Sequence, residues 1–205
     1  DVEFITPLNG RTILERIEEC GRVCYKSERL ISENSCRAFC EKIIKSGHES
    51  VLEHCSFTIK FICDRGVSHE IVRHRIASYS QESTRYCNYS NDRFGTEITV
   101  IEPLFLEPGT EIYDIWKNTC QNSEYAYFAL LDAGLMPQEA RAVLPNSLKT
   151  EVVMTANIRE WRHFFKLRCS EAAHPQMRQV ATQALRLVHD RVPVLFDDVF
   201  TEVMK

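Results

Sequence analysis

The sequence predicts an α+β fold, with long helices and a mixed or antiparallel sheet. Apolar residues recur three and four positions apart over most of the chain, which is the spacing of amphipathic helices. The few segments typical of strands do not alternate with helices in the repeated βαβ order that a parallel sheet requires. The 205 residues contain no internal repeat and no long polar linker, so we expect a single domain over residues 1–205.

The first part of the chain predicts two helices, a strand and a third helix. Residues 12–25 and 33–46 place their apolar side chains on one helical face. Residues 55–63 instead alternate apolar and polar side chains, which predicts a strand. A turn then leads into residues 67–77, which have a helical pattern.

The second part predicts two short strands among several helices. The strands cover residues 97–101 and 149–156, and Gly134 ends a long helix over residues 109–133. Asn157 and Glu160 have the spacing of a capping box at the start of the next helix. The remaining predicted helices cover residues 138–144, 157–168, 174–190 and 194–203.

The segment RHRIASYSQESTRY, residues 73–86, is the strongest sign of function in the chain. It holds three arginines, one histidine and four hydroxyl groups of Ser or Thr. Arginine forks, hydroxyls and the backbone N–H groups of a loop together bind phosphate esters. We therefore predict an anion-binding loop, preceded by a helix that projects Glu70, Arg73 and His74 from one face. The alternative is a solvated loop crossed by ion pairs, which explains the density of hydroxyls less well.

The overall composition excludes several classes of protein. A net charge of -4 argues against non-specific nucleic-acid binding, which requires a basic surface. No apolar run approaches the roughly 20 residues that cross a bilayer, and the chain does not open with a signal-peptide pattern. The nine cysteines form no CxxC pair, so we expect buried thiols in a reducing cytoplasm rather than a redox or metal site.

Two further segments carry polar side chains beside apolar ones. GHESVLEH, residues 47–54, fits neither the HExxH nor the HxxEH zinc pattern, so it predicts a loop and no metal site. NIREWRHFFKLR, residues 157–168, is by itself typical of an amphipathic helix, with Arg159 and His163 on one face. The sequence contains no GxSxG, GxGxxG or Walker A motif, so a nucleotide would bind outside those frames.

Taken together, these segments resemble the flavin-dependent thymidylate synthases. The family signature RHRxxSxNExSxRY matches residues 73–86 at every fixed position except Ser80 and Gln81, where the family has Asn and Glu. GHESVLEH, EARAVLP and NIREWRHFFKLR are similar to family segments and follow in the same order. The resemblance covers residues 12–190 and implies the flavin-dependent thymidylate synthase fold.

The resemblance also implies an activity and a set of ligands. Members of the family are methyltransferases that convert dUMP to dTMP, with methylenetetrahydrofolate as carbon donor and FAD, reduced by NADPH, as hydride source. They are homotetramers whose active sites are shared between subunits. By position, the residues implied to contact FAD are Ser50, Arg73, His74, Arg75, Gln81, Asn157, Arg159 and His163. Those implied to contact dUMP are Glu70, Arg73, Gln81, Ser83, Thr84, Arg85, Arg141 and Arg168.

Within this set, Arg168 is the implied catalytic residue. It would contact the uracil ring and favour its N3-ionised form, because a fixed guanidinium stabilises the anion. The family needs no enzymic nucleophile on uracil, so Ser83 is predicted to bind and not to attack. Besides Gln81, the chain departs from many members at Glu70, where an amide is common, and at His163, where Asn is often found.

Two other functions remain open from the sequence. One is a flavoprotein or nucleotide-binding enzyme that keeps this site but uses another acceptor or carbon donor. The other is a non-enzymatic RNA- or nucleotide-binding module built on the Arg- and Tyr-rich segment. The acidic net charge disfavours the second function.

Overall fold

Helices supply most of the structure. The computed structural model of the protein describes residues 1–6, 8–90 and 97–204. Its helices are α1 (Gly10–Val23), α2 (Ser35–Lys45), α3 (Arg65–Ile71), α4 (Glu111–Asp132), α5 (Pro137–Ala140), α6 (Ile158–Arg168), α7 (Pro175–His189) and α8 (Asp197–Val203). Its strands are β1 (Val2–Phe4), β2 (Ser56–Asp64), β3 (Ala77–Gln81) and β4 (Lys149–Asn157). Short 3₁₀ segments cover Glu28–Leu30, Glu49–His54, Arg141–Val143 and Pro193–Leu195.

The four strands form one antiparallel sheet in the order β1-β2-β4-β3. Val2 of β1 lies opposite Phe61 of β2, and Phe4 lies opposite Ile59. Alternate residues of β2 and β4 are buried, as expected for strands that cover a core with one face. The predicted α+β class is therefore confirmed.

Most predicted elements match the structure to within a few residues, but the helix expected over residues 67–77 covers Arg65–Ile71 instead, so its predicted end is wrong. Asp64 begins α3 earlier, because its Oδ1 accepts a hydrogen bond from the backbone N–H of Val67 at 2.7 Å. The helix ends at Ile71. Glu70, Arg73 and His74 therefore do not share a helix face, and that expectation was also wrong.

The hydroxyl-rich segment is also partly a strand and not wholly a loop. Residues 77–81, ASYSQ, form β3, in which Ala77, Tyr79 and Gln81 are half-buried and the two serines are exposed. Hydroxyl side chains concealed this period of two, because Ser and Tyr are not apolar markers. Conversely, the strand expected over residues 97–101 is reduced to a single bridge between Val100 and Leu148.

By contacts the chain divides into two units, and the division falls within β2, β3 and β4. The first unit contains Asp1–Phe61, His74–Tyr79 and Val153–Lys205. Its core is a cluster of aromatic rings in which Trp161 stacks on Phe57 at 4.9 Å between centroids. The indole N–H of Trp161 also donates to the carbonyl of Phe57 at 3.2 Å, which fixes α6 against β2.

The second unit contains Ile62–Arg73 and Ser80–Val152. Tyr89 and Tyr127 meet edge to face at 5.8 Å in its core. The other buried members of this core are Ile98, Ala140 and Leu148. The long helix α4 supplies Tyr127, and the indole of Trp116 on the same helix donates to Ser147 at 3.0 Å.

Most of the cysteines are buried, as the sequence predicts. All nine are unpaired; six are buried, Cys20 and Cys87 are half-buried, and Cys24 is exposed. Burial raises the pKa of the Cys40 and Cys63 thiols to about 12, so both stay protonated at neutral pH. In the part of the chain that the structure describes, no helix has both the length and the apolar character needed to cross a bilayer.

Candidate functional site

A buried histidine joins the two ends of helix α6. Asn157 begins α6, because its Oδ1 accepts from the backbone N–H of Glu160 at 2.9 Å, and Arg168 is the last residue of the helix. His74 Nδ1 lies 2.8 Å from Glu160 Oε1, and Arg168 Nε lies 3.1 Å from His74 Nε2. All these residues belong to the first unit.

This geometry fixes where the imidazole carries its proton. A guanidinium only donates hydrogen bonds, so Nε2 of His74 must accept from Arg168 and Nδ1 must carry the hydrogen that reaches Glu160. Burial, with the Arg168 charge, lowers the pKa of His74 below its ordinary value despite the raising effect of Glu160. His74 is therefore neutral at neutral pH, with its proton on Nδ1.

Packing holds the imidazole in place. The His74 ring lies 4.9 Å from the ring of Phe164 and 5.6 Å from that of His163, measured between centroids. The hydroxyl of Tyr79 donates to the carbonyl of His74 at 2.6 Å. Burial raises the pKa of Tyr79 to about 12, so the phenol stays neutral and keeps this hydrogen bond.

A cavity of about 480 Å³ lies beside the start of α6. Three of its lining residues, Asn157, Arg159 and His163, are among those implied to contact FAD. The other lining residues are Glu49, Glu53, Ile76, Glu160, Arg162 and Lys166. Its volume is that of a typical small-molecule site, and its lining carries three carboxylates and three cations beside the exposed imidazole of His163.

Two ion pairs cross the wall of this cavity. Arg159 donates to Glu53 at 2.6 Å, and both side chains are about half exposed. The buried Arg162 instead donates to Glu49 at 3.0 Å and to Asp198 at 2.6–2.7 Å. Arg162 therefore has a structural role, whereas Arg159 can exchange its carboxylate for a ligand.

The other residues implied to contact FAD are less closely grouped. Ser50 is exposed in the 3₁₀ segment that supplies two of the cavity's glutamates, and Arg75 is exposed next to Ile76. His74 does not line the cavity, and both its ring nitrogens are engaged. A direct contact of His74 with a flavin would therefore use its backbone or a ring carbon. Arg73 belongs to the second unit.

In the second unit, the structure brings together two residues implied to contact dUMP. The guanidinium of Arg141 donates to Thr84 Oγ1 at 3.3 Å, across 57 residues of sequence. Thr84 is buried and Arg141 is exposed, so the hydroxyl anchors a guanidinium that faces solvent. Beside them, the Oγ of Ser83 accepts from the backbone N–H of Arg85, also at 3.3 Å.

Gln81 donates two hydrogen bonds to hydroxyl groups from the position where the family signature has glutamate. Its side-chain amide donates to Ser68 Oγ at 2.9 Å and to Thr150 Oγ1 at 3.4 Å. An ionised carboxylate only accepts hydrogen bonds, so the amide satisfies this half-buried position in a different way. Glu70 is half-buried near the end of α3, and Arg73 is exposed after it.

Glu160 was not predicted as a site residue from the sequence. Its only signal was the spacing from Asn157, which indicated a helix start and not a buried carboxylate. Glu160, His74 and His163 offer three ligand atoms within 4.8 Å of one another, a grouping that can hold a metal ion. However, Nδ1 of His74 carries a proton and Nε2 accepts from Arg168, so the imidazole has no lone pair for a metal.

Comparison with known proteins identifies the family. The family described as Thymidylate synthase complementing protein matches residues 11–194. A protein of Geobacter sulfurreducens named "Flavin-dependent thymidylate synthase" is 40% identical over 185 residues, which are 87% of this chain and 78% of that protein. Proteins of the same name from Pyrococcus furiosus and Corynebacterium glutamicum are 37% and 32% identical. These alignments cover 87% and 100% of this chain, and 73% and 86% of the two proteins. The chain therefore belongs to the thymidylate synthase complementing protein family, which confirms the resemblance carried by residues 73–86.

Proposed function

We propose that this protein is an FAD-dependent thymidylate synthase that converts dUMP to dTMP, with methylenetetrahydrofolate as carbon donor and NADPH as reductant. The proposal depends most on one observation. Nε of Arg168 donates a hydrogen bond to Nε2 of the buried, neutral His74 imidazole at 3.1 Å, which orients the guanidinium. Three relatives at 32–40% identity bear the name of this enzyme, which supports the same reading.

Arg168 prepares the uracil ring for reaction. A uracil that loses its N3 proton becomes an enolate-like anion whose C5 is more nucleophilic, and ionisation requires a nearby cation. Arg168 is half-buried at the end of α6. Its plane is fixed through Nε, so the positive charge is oriented before the substrate arrives and needs little reorganisation.

The nucleotide phosphate is assigned to two arginines, Arg85 and Arg141. Arg85 and Arg141 are both exposed, and a guanidinium binds a phosphate dianion through two parallel hydrogen bonds. Thr84 holds the Arg141 side chain, so part of the entropy cost of ordering that arginine is met before binding. The Oγ of Ser83 accepts a hydrogen bond from the backbone N–H of Arg85, in keeping with a binding role.

The flavin is assigned to the cavity beside α6. Asn157, Arg159 and His163 would hold it. Ser50 and Arg75, also proposed to contact the flavin, are the sequence neighbours of the lining residues Glu49 and Ile76. When bound, the flavin supplies the hydride that no side chain can donate. The exposed cations Arg159 and Lys166 would contact its phosphates or the anionic edge of its ring.

Assembly and location complete the proposal. We expect a cytoplasmic homotetramer with sites shared between subunits. The exposed apolar side chains Ile112 and Ile115 on α4, at 67% and 61% exposure, support burial of this face in an oligomer. Nine unpaired cysteines support a reducing compartment. Light scattering should give about four times the chain mass of 23.8 kDa.

Formation of dTMP tests the activity. The purified protein is incubated with FAD, NADPH, methylenetetrahydrofolate and dUMP, and the nucleotides are separated by chromatography. We expect dTMP in the complete mixture and none when FAD or the folate is omitted. Oxidation of NADPH without dTMP would instead favour a flavoprotein with another acceptor. Binding of RNA without flavin would favour the non-enzymatic alternative.

A further inference from the structure

We propose that Glu160 is a positioning residue for Arg168, acting through the imidazole of His74. This inference rests on the proposed function, because the value of a positioned Arg168 lies in binding the deoxyuridylate ring. Glu160 touches neither uracil nor the guanidinium in the proposed scheme. Its contribution is to keep a hydrogen on Nδ1 of His74, so that Nε2 remains an acceptor.

Glu160, His74 and Arg168 form a chain of two hydrogen bonds. Glu160 Oε1 lies 2.8 Å from His74 Nδ1, and His74 Nε2 lies 3.1 Å from Arg168 Nε. The side chains of His74 and Glu160 are only 3% and 10% exposed, so water competes little for these hydrogen bonds. A low local dielectric also makes a mismatched donor or acceptor costly.

The carboxylate of Glu160 selects the tautomer of His74. A neutral imidazole carries one hydrogen, and the free imidazole can place it on either nitrogen. With an acceptor at Nδ1, the hydrogen stays there and Nε2 presents its lone pair to Arg168. Without that acceptor, a hydrogen on Nε2 would face the N–H of Arg168, and two donors would oppose each other.

The position of Glu160 on α6 separates its side chain from the hydrogen bond that caps the helix. It is the third residue of α6, and its backbone N–H, not its side chain, is the group that Asn157 caps. A side-chain substitution at Glu160 therefore leaves the cap intact. A carboxylate in the first turn also interacts favourably with the helix dipole.

The test compares the wild-type protein with Glu160→Ala and Glu160→Gln. Glutamine keeps an oxygen that can accept from Nδ1, whereas alanine removes it. Glu15→Ala, at an exposed glutamate paired with Arg11 on α1, is the control for loss of a surface charge. Circular dichroism melting verifies that each variant is folded, and binding of FAD and of dUMP is titrated separately by the flavin absorption spectrum.

The direct readout is the protonation of His74. With ¹⁵N-labelled histidine, NMR distinguishes protonated from unprotonated ring nitrogens, and the His74 signals are those lost in His74→Gln. We expect the hydrogen to be on Nδ1 of His74 in the wild-type protein and in Glu160→Gln. In Glu160→Ala we expect the hydrogen to be no longer confined to Nδ1. This readout needs neither substrate nor turnover.

The functional readout is the affinity for dUMP. We expect Glu160→Ala to weaken dUMP binding about tenfold or more, the effect of losing an oriented charged hydrogen bond, with FAD affinity within about threefold of wild type. Glu160→Gln should restore most of the dUMP affinity. Wild-type dUMP affinity in Glu160→Ala, or equal loss in both variants, would overturn the inference.

Other outcomes separate this inference from the proposed function. If the wild-type protein binds flavin but its spectrum never responds to dUMP, the proposed function fails, and the positioning role fails with it. If the wild-type protein responds to dUMP while NMR finds the hydrogen of His74 on Nε2, only the inference fails. Equal loss of FAD and dUMP affinity in Glu160→Ala would mean that Glu160 acts as cavity wall and not through Arg168.

Discussion

Nε of Arg168 donates a hydrogen bond to Nε2 of His74 at 3.1 Å, so a neutral imidazole orients the guanidinium at the end of α6. The contact joins residues that are 94 positions apart in the sequence. It places the histidine of the RHR motif behind Arg168, the arginine that we propose contacts uracil. Under that proposal, the histidine supports the uracil site through this hydrogen bond.

The first prediction concerns Arg168→Lys. Lysine keeps the charge but has no inner N–H to meet Nε2 of His74 and no planar fork. We expect dUMP affinity to fall about tenfold to hundredfold, as for the loss of a charged hydrogen bond, while FAD still binds. Titration of each ligand separately measures this. Equal losses for FAD and dUMP would contradict the role assigned to Arg168.

A second prediction concerns the ion pair between Arg159 and Glu53, 2.6 Å apart at the cavity wall. In Glu53→Gln the carboxylate no longer competes for Arg159, so we expect FAD to bind a few-fold more tightly. Both side chains are half exposed, which limits the effect. Fluorescence titration of FAD measures the change.

The matched control for that experiment is Glu41→Gln. Glu41 forms a similar exposed ion pair with Arg37 on α2, at 3.1 Å. This control should leave FAD affinity unchanged. Weaker FAD binding in Glu53→Gln than in the control would show that Glu53 supports the ligand and does not compete with it.

The third prediction concerns the support that Thr84 gives to Arg141. Thr84→Val removes the hydroxyl that accepts from Arg141 and keeps the side-chain shape. We expect KM for dUMP to rise several-fold with little change in kcat, because the contact orders Arg141, which we propose binds the phosphate. Arg141→Ala should raise KM further, by about tenfold to hundredfold. Thr201→Val on the exposed face of α8 is the control, and an unchanged KM in both threonine variants would refute the idea.

The fourth prediction separates binding from nucleophilic catalysis at Ser83. Its Oγ accepts from the backbone N–H of Arg85 at 3.3 Å, which is a positioning contact. Ser83→Ala should therefore keep measurable turnover, with a raised KM for dUMP. Mass spectrometry of the wild-type protein quenched during turnover checks the same point, and a covalent adduct on Ser83 would overturn it.

The fifth prediction follows from the lowered pKa of His74, which burial causes first and Arg168 reinforces. The folded protein disfavours the protonated imidazole, whereas the unfolded chain takes up the proton near pH 6.5. This contribution to stability is therefore present above about pH 6.5 and is lost as the pH falls below it. The charged or titratable groups around His74 are Glu160, Arg168, His163 and Tyr79.

The measurement is the urea unfolding midpoint between about pH 7.5 and pH 5.5, a range that spans the histidine titration. His74→Gln should lose less stability on acidification than the wild-type protein. His69→Gln, at an exposed histidine of α3, is the control. Identical pH dependence in wild-type and His74→Gln proteins would contradict the burial of a neutral His74.

The sequence predicts the fold best where the chain repeats a simple pattern. β2, β4 and α4 follow from their periods, and the start of α6 follows from Asn157. β3 was missed because its alternation is carried by Ser, Tyr and Gln. The pairing of Thr84 with Arg141, and the burial of Glu160 against His74, depend on contacts between distant segments, which no local pattern encodes.

The central claim is that this protein binds a flavin and a deoxyuridylate in one site. The most direct test is the visible spectrum of the purified protein with added FAD, then NADPH, with and without dUMP. We predict bound flavin bands that bleach with NADPH and shift when dUMP is added, and a lost dUMP response in Arg168→Ala. The claim would be contradicted if the wild-type protein retains no flavin absorption after excess FAD is removed. It would also be contradicted if the spectrum of the bound flavin does not change when dUMP is added.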